Sequence, residues 1–482
     1  MRNTNACMPL PYWQLETHGN APALVAESGL AVTYTELARL ADRFSQHLDR
    51  QGRKSLVFIV CENAIECLSA YLGCLRSRHA ALLLDGTIDR SALADLMEVY
   101  FPGFIWCREG AEAIKGQPVY RYGDYQLIRC TAVETEPIHP ELALLLPTSG
   151  STGGHKLVRL SYDNLAANAA SIIGYLPIDD TECTITVLPM HYSYGLSVIN
   201  THLLAGARIV TTHASPVERR FWDLCRRDAI TSLVGVPYTY DIYRRIGLER
   251  ALPPTVRYLT QAGGRLAPDR VKDCAATLSR LGIRFYVMYG QTEATARMSY
   301  LPPDRVLEKP SSVGIPIPGG RFSISAGDRA TVQTAGVVGE LVYDGPNVCL
   351  GYADTREDLA KGDENRGRLL TGDLACFDEE GLLYIKGRLK RFIKLAGQRV
   401  ALDDIERMLG ESGVEAVCCG ADERLYIAVR TNSDESAAAR FVTSRLRLHP
   451  TMYSVVTVAD VPRNTSGKVQ YQALYEELSR HA

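Results

Sequence analysis

Three times along this chain a short apolar run, a helix-patterned stretch and a second apolar run follow one another. The first set is "SLVFIVCEN" (55–63), "AIECLSAYLGCLRSR" and "HAALLLDG"; the second is "ARIVTTH", "RRFWDLCRRDA" and "ITSLVGVP". The third is "VRYLTQAGG", "DRVKDCAATLSRLG" and "IRFYVMYG". Upstream, "AVTYTELARLADRFSQHLDRQ" (31–51) is extended at first and then places Leu37, Leu40, Ala41, Phe44 and Leu48 at helical spacing. Apolar runs alternating with amphipathic helices predict α/β layers with largely parallel strands. In such sheets ligands bind at the carboxyl ends of strands, where Gly-rich turns collect.

Near residue 310 the character changes. "SSVGIPIPGGRFSIS", "GVVGELVYDGPNVCLGY" and "GLLYIKGR" are short β-type runs punctuated by Gly and Pro, which predicts a β-rich subdomain. After Arg388 come "LKRFIKLAGQRV", "ALDDIERMLGES", strands around "EAVCCG" and "LYIAVR", and a helix from about 435, a pattern for a small α+β domain. At 482 residues two or more domains are expected.

Composition narrows the function classes. A hydrophobic fraction of 46% with 22% charge is that of a soluble globular protein. Lys plus Arg is 53 against 55 for Asp plus Glu, so the balance gives no reason to expect nucleic acid as partner. The N-terminus lacks the apolar core of a signal peptide, and no stretch approaches the ~20 apolar residues that span a bilayer. The 13 cysteines are scattered without zinc-ligand or redox spacing, which reads as free thiols in a reducing cytoplasm.

One loop carries chemistry. In "LLLPTSGSTGGHKLVRLSYDNL" (144–165) a strand-like run enters Thr148-Ser149-Gly150-Ser151-Thr152-Gly153-Gly154-His155-Lys156, and a helix-like pattern follows. Glycines let backbone amides converge on an anion, and the hydroxyls and lysine add charge-assisted donors. A flexible connector is the competing reading. The P-loop pattern fails: His155 precedes Lys156 where Gly is required, and Leu157 follows where Ser or Thr would bind magnesium.

The loop resembles the T-S-G-[ST]-T-G-x-P-K signature of the adenylate-forming superfamily, which includes acyl- and aryl-CoA synthetases, adenylation domains of peptide synthetases and beetle luciferases. The family's later motifs also occur in order: "YGQTEAT" (289–295), "GELVYDGPNVCLGY" (339–352), "LLTGDLACFDEEGLLYIKGRLKRFIKLAGQRV" (369–400) and "PRNTSGKVQ" (462–470). The resemblance spans about residues 30 to 472. It implies an α/β fold with a large N-terminal domain of layered α/β subdomains plus a β-rich subdomain (1–387), and a small mobile α+β domain (388–482).

The resemblance also implies a reaction. A carboxylate attacks the α-phosphate of ATP to give acyl-AMP and pyrophosphate, and the acyl group then passes to a thiol. Thr148, Ser149, Gly150, Ser151, Thr152, Gly153 and Lys156 would hold the β- and γ-phosphates; His155 replaces the usual proline. Thr292 would contact the α-phosphate, Glu293 would bind Mg²⁺, and Tyr289 would lie against the adenine. Asp373, with Arg388 fifteen residues on, would bind the ribose. Lys468 would be the mobile catalytic cation. Lys390 would be the hinge that swings Lys468 out and brings the Lys394–Gly397 loop toward the acceptor thiol.

The segment "PMHYSYGLSVINTHLLAGARIV" (189–210) matches the acyl-pocket motif. Amino-acid adenylating relatives normally place an Asp where Ser193 stands, and a hydroxyl cannot offset a buried ammonium. No Asp or Glu lies between residues 183 and 217. An aryl or fatty acid is therefore expected over an amino acid, with Tyr192, Ser193, Val236, Pro237, Tyr238, Gly263, Gly264 and Met288 as pocket-wall candidates. No carrier domain is expected after Lys468, so the thiol is that of coenzyme A or of a separate carrier protein, with a slight lean to the carrier. A kinase is disfavoured by Leu157, and a non-catalytic nucleotide-binding module by the presence of Lys156, Glu293, Asp373 and Lys468.

Overall fold

The computed structural model describes residues 10–48, 53–110, 114–131, 137–147, 156–325, 331–389, 391–395, 398–421, 423–446, 448–465 and 467–480. They fall into two compact units, residues 1–321 with 344–369, and residues 322–343 with 370–482.

The larger unit is built on two sheets. In the nine-stranded one, Pro22–Ala26, Arg208–Thr211, Cys183–Ile185, Ser232–Gly235, Tyr258–Gln261 and Arg284–Tyr289 pair side by side in parallel. The helices Arg219–Arg227 and Pro268–Arg280 fall where the apolar spacing predicts. The eight-stranded sheet pairs Leu56–Cys61 with Ala80–Asp85 in parallel, joined by the helix Ile65–Arg76. Tyr34–Leu48 is a helix that buries Leu37, Ala41, Phe44 and Leu48.

The pattern after the Gly-rich loop is a strand before it is a helix. Leu157–Ser161 pairs antiparallel with Leu142–Pro147, and the helix Tyr162–Ile173 starts only after Ser161, whose hydroxyl caps it. The Val, Leu and Ser content suits either state; what decides is pairing on both sides, with Leu142–Pro147 and Gly351–Ala353. Two short runs of the β-rich stretch serve these large sheets. Ile315–Pro316 extends the nine-stranded sheet, and Gly351–Ala353 adds to Leu157–Ser161 at the edge of the other.

The second unit holds the five-stranded sheet that includes Gly339–Asp344, Arg368–Phe377 and Leu383–Arg388. It continues through the hairpin Phe392–Leu395 with Gln398–Ala401, the helix Leu402–Glu411 and a three-stranded sheet. That sheet pairs Ala416–Ala421 antiparallel with Arg424–Val429, and Tyr453–Thr457 joins in parallel as a strand the sequence did not announce. The helix placed from about 435 begins at Asn432, where the Thr431 hydroxyl caps it. The fold class is thus α/β, a large N-terminal part and a small C-terminal part. Among the described residues the cysteines are free thiols, and no helix is long and apolar enough to cross a membrane.

Candidate active site

The strand Arg284–Tyr289 carries the "YGQTEAT" segment at its carboxyl end, where the parallel architecture predicts ligands. Met288 is buried and Tyr289 half-buried. The chain then makes a 3-10 turn over Thr292–Ala294 and returns as the antiparallel strand Ser299–Leu301. The return is so tight that a Cβ on Gly290 would stand 1.8 Å from the Ala296 carbonyl oxygen. Thr295 and Ala296 take φ of 60° and 119°, left-handed backbone that non-glycine residues adopt at a cost of about 1–3 kcal/mol each.

Distant groups hold this turn. The Asn347 amide donates to the Ala294 carbonyl at 2.7 Å, the Thr295 hydroxyl donates to the Asn347 carbonyl at 2.7 Å, and the Cys349 N–H donates to the Glu293 carbonyl at 2.8 Å. The Asn164 amide in turn fixes the Pro346 and Val348 carbonyls, both at 2.8 Å. The "GPNV" part of the 339–352 motif is therefore a clamp on the Thr292–Glu293 turn.

Lys156 and Glu293 meet on one tyrosine. The Tyr352 hydroxyl donates to Glu293 Oε1 at 3.0 Å, and Lys156 Nζ lies 3.7 Å from the centre of the same ring. Burial and, after it, the Glu293 carboxylate push the Tyr352 phenol well up, so it stays a donor. Strand pairing explains the meeting: Tyr352 is opposite Val158, two residues from Lys156. Arg159, wholly buried, holds the backbone by donating to the Tyr352 carbonyl at 2.9 Å and pairing with Glu364. Thr148, Ser149, Gly150, Ser151, Thr152 and Gly153 lie outside the described residues; the strands on either side of them pair, Pro147 opposite Leu157.

The acyl-pocket candidates mostly come together. The Ser193 and Thr292 hydroxyls are 3.1 Å apart, both buried. Gly263 has φ of 79°, and a Cβ there would be 2.4 Å from the Tyr192 hydroxyl and 3.0 Å from a Val236 methyl. Gly264 faces Pro237 in the same way, at 3.1 Å. Tyr192, Val236 and Met288 belong to one buried apolar cluster. Tyr238 departs from the set: it is 39% exposed on the helix Pro237–Ile246.

The smaller unit carries two constellations of its own. Asp373 and Arg388 are register partners across an antiparallel pair, and Arg388 Nε donates to Asp373 Oδ1 at 3.0 Å. The fifteen-residue spacing is thus the length of a hairpin. Asp373 is buried, whereas the Arg388 side chain is 64% exposed. The Arg388 N–H donates to Asp403, and so does the Arg391 guanidinium, which also pairs with Glu406 and lies 3.9 Å over the Tyr471 ring. Lys390, between these anchors, lies outside the described residues, as do Ala396 and Gly397; Lys394 is exposed on its strand.

Lys468 closes a tight hairpin. Its N–H donates to Asn464 Oδ1 at 2.9 Å and its carbonyl accepts the Asn464 N–H at 2.9 Å. Gly467, at φ of 76°, donates its N–H to the Asn464 carbonyl, and Gln470 donates to the Pro462 carbonyl. The "PRNTSGK" pattern is therefore a turn that fixes the lysine backbone and leaves its side chain half-buried.

A family model for AMP-binding enzymes matches residues 12–353. The chain belongs to the AMP-binding enzyme family. Among relatives, the 2-succinylbenzoate–CoA ligase of Bacillus cereus strain AH820 is 27% identical, the match covering 93% of this chain and 94% of that one. The o-succinylbenzoate CoA synthetase MenE of Bacillus subtilis, solved with its acyl-adenylate intermediate, superposes with a TM-score of 0.76 at 23% identity, over 96% and 98% of the two chains. ATP-bound MatB of Rhodopseudomonas palustris does so with a TM-score of 0.75 at 23% identity, over 97% and 99%. This AMP-binding enzyme is thus an ATP-dependent, AMP-forming acid–thiol ligase.

Sequence reasoning had no role for Tyr352, Asn347, Asn164 or Arg159 in this AMP-binding enzyme. For Arg159 a signal existed: an arginine inside the apolar strand "LVRLS" must have a buried partner. For Tyr352 and Asn347 there was none beyond their place in a motif.

Proposed function

We propose that this chain activates a carboxylic acid without an α-ammonium group as its acyl-AMP and passes the acyl group to coenzyme A. The carrying observation is the meeting of Ser193 with Thr292 in a wall whose neighbours are Tyr192, Val236 and Met288, with no acidic side chain between residues 183 and 217. A buried ammonium would lack an offsetting carboxylate there. The names of the relatives support CoA as acceptor and make 2-succinylbenzoate the first acid to test. A carrier protein, which offers the same pantetheine thiol, is the other acceptor.

In this reading Thr292 contacts the α-phosphate while Lys156, with the loop from Thr148 to Gly153, holds the β- and γ-phosphates. Tyr289 lies against adenine, and Asp373 accepts from the ribose hydroxyls with Arg388 beside it. Glu293 suits Mg²⁺ because its carboxylate meets a hydroxyl rather than a cation, and magnesium at nucleotides takes one or two carboxylates plus phosphate oxygens. When bound, that ion neutralises phosphate charge. Lys468 bridges the substrate carboxylate and the α-phosphate, lowering their repulsion as the bond forms. Lys390 is the hinge between 1–387 and 388–482, which lets one small domain serve both half-reactions.

The test is ATP–pyrophosphate exchange with 2-succinylbenzoate, other aryl acids, fatty acids and amino acids, followed by thioester detection by mass with CoA or a carrier protein. Exchange with a non-amino acid and a CoA thioester are expected. Exchange with amino acids alone sinks the pocket argument, and a thioester on the carrier alone sinks the choice of CoA.

A further inference from the structure

The turn that presents Thr292 and Glu293 ends at Arg297, whose side chain enters the apolar interior. Arg297 is 2% exposed, and its Nε and Nη1 have no hydrogen-bond partner among the described residues. The other deeply buried arginines each have a side-chain hydrogen bond to the chain, although Arg356 Nε has none among the described residues. Arg159 pairs with Glu364 and four backbone carbonyls, and Arg356 donates to the Tyr100 carbonyl. No described carboxylate forms an ion pair with Arg297.

Its surroundings are the pocket wall. The guanidinium lies 5.0 Å from the Tyr194 ring centre, and Tyr194 follows Ser193 and shares a buried cluster with Tyr192, Val236 and Met288. The nearby Tyr175 phenol donates to Met288 Sδ at 3.2 Å and offers Arg297 only a neutral oxygen, and the Tyr194 phenol bonds the Thr260 hydroxyl at 2.7 Å. Burial, with Arg297 adding to it against a backbone hydrogen bond, holds His202 down to about 4, so that ring brings no second charge. A whole positive charge is thus left in an apolar, tyrosine-lined region without a counter-ion among the described residues. Buried charges persist only when something pairs with them.

We propose that Arg297 receives a second anionic group on the acid, so that the substrate class is a dicarboxylate or a comparable dianion. The inference rests on the adenylation reading above and deepens it. One carboxylate of the substrate meets Thr292 at the mouth; the distal anion forms charge-assisted hydrogen bonds with the free edge of Arg297. Tyrosine rings around the cation suit an aryl spacer between the two groups.

The experiment is pyrophosphate exchange by the full chain with ATP and Mg²⁺, using acids matched in pairs that differ by one distal carboxylate. Hexanoate against adipate and 4-phenylbutanoate against its ring 2-carboxylate are two such pairs. The dianion of at least one pair should be preferred by on the order of 10²-fold in kcat/KM, the worth of hydrogen bonds to a charged group. Arg297→Met should collapse that ratio toward one through KM, and Arg297→Lys should restore part of it. The melting temperature of Arg297→Met should hold or rise, since an apolar side chain replaces an unpaired charge. Strong exchange in which every monoacid equals or beats its dianion overturns the proposal and leaves adenylation standing. A ratio that Arg297→Met does not change also overturns it. Should that variant not fold, the wild-type ratios and Arg297→Lys decide. No exchange with any acid overturns both readings together.

Discussion

The Thr292–Glu293 turn and the Lys468 hairpin are both short, both depend on one glycine, and are held in opposite ways. Residues far along the chain fix the first: Asn347, Cys349 and Tyr352 all bond to it, and its backbone is forced into left-handed conformations at Thr295 and Ala296. The hairpin is shaped by its own residues, Asn464 with Lys468, Arg463 with Gly467, and Pro462 with Gln470. A turn locked by distant partners is a preorganised receptor for charge that develops in place. A hairpin that carries its own backbone bonds suits the mobile role proposed for Lys468.

The largest effect that could break this contrast comes from Lys468→Ala. It should lower adenylation by about 10²-fold or more, as for loss of a charge stabiliser. Thioester formation from preformed acyl-AMP should largely survive, and single-turnover assays of each half-reaction will show whether it does. Equal losses in both would mean that Lys468 is as fixed as Thr292.

Asp373→Asn comes next. It removes the charged acceptor at the buried end of the Asp373–Arg388 pair, and a hydrogen bond to a charged group is worth about 1.5–3 kcal/mol. The KM for ATP should rise about tenfold or more with a smaller change in kcat; a fall confined to kcat would deny the ribose role.

Tyr352→Phe is milder. It deletes the hydroxyl on Glu293 and keeps the ring beneath Lys156, so a loss of about 1 kcal/mol, roughly fivefold in kcat/KM, is expected. Tyr352→Leu, which removes the ring as well, should lose more. If the two variants match, Lys156 gains nothing from the ring.

A last test lies in stability rather than activity, away from both turns. Burial, and then the neighbouring Arg78, lower the Lys54 amine to about 7 from 10.5 against the pull of Glu141. Its Nζ donates to the Pro140 carbonyl. Between those values the unfolded chain binds more protons than the folded one, so stability should rise with pH across that window. Urea unfolding from pH 6 to 10 should show the slope, and Lys54→Met should flatten it.

Much of the fold was legible. The three strand–helix–strand sets are present as parallel strands of the large sheets because a buried strand needs a continuous apolar run, and its crossover helix needs one apolar face. The misread segment, Leu157–Ser161, shows the limit: five residues are too few for periodicity to separate strand from helix, and pairing with Leu142–Pro147 and Gly351–Ala353 decided it. Tyr453–Thr457 escaped notice because its residues are only half-buried, so no apolar run marks it.

The sequence by itself determined which residues can do chemistry and in what order they occur. It also determined local devices: the Asn464–Lys468 turn, and the Asp373–Arg388 hairpin whose length is its spacing. Only the tertiary structure decided which distant groups meet. Ser193 reaches Thr292 across 99 residues, and Tyr352 reaches Glu293 across 59. Periodicity reports whether a residue is buried, not against what, because that depends on how sheets and loops pack. Arg297 shows the difference most sharply: the sequence holds one more arginine, and packing makes it a buried cation that awaits an anion.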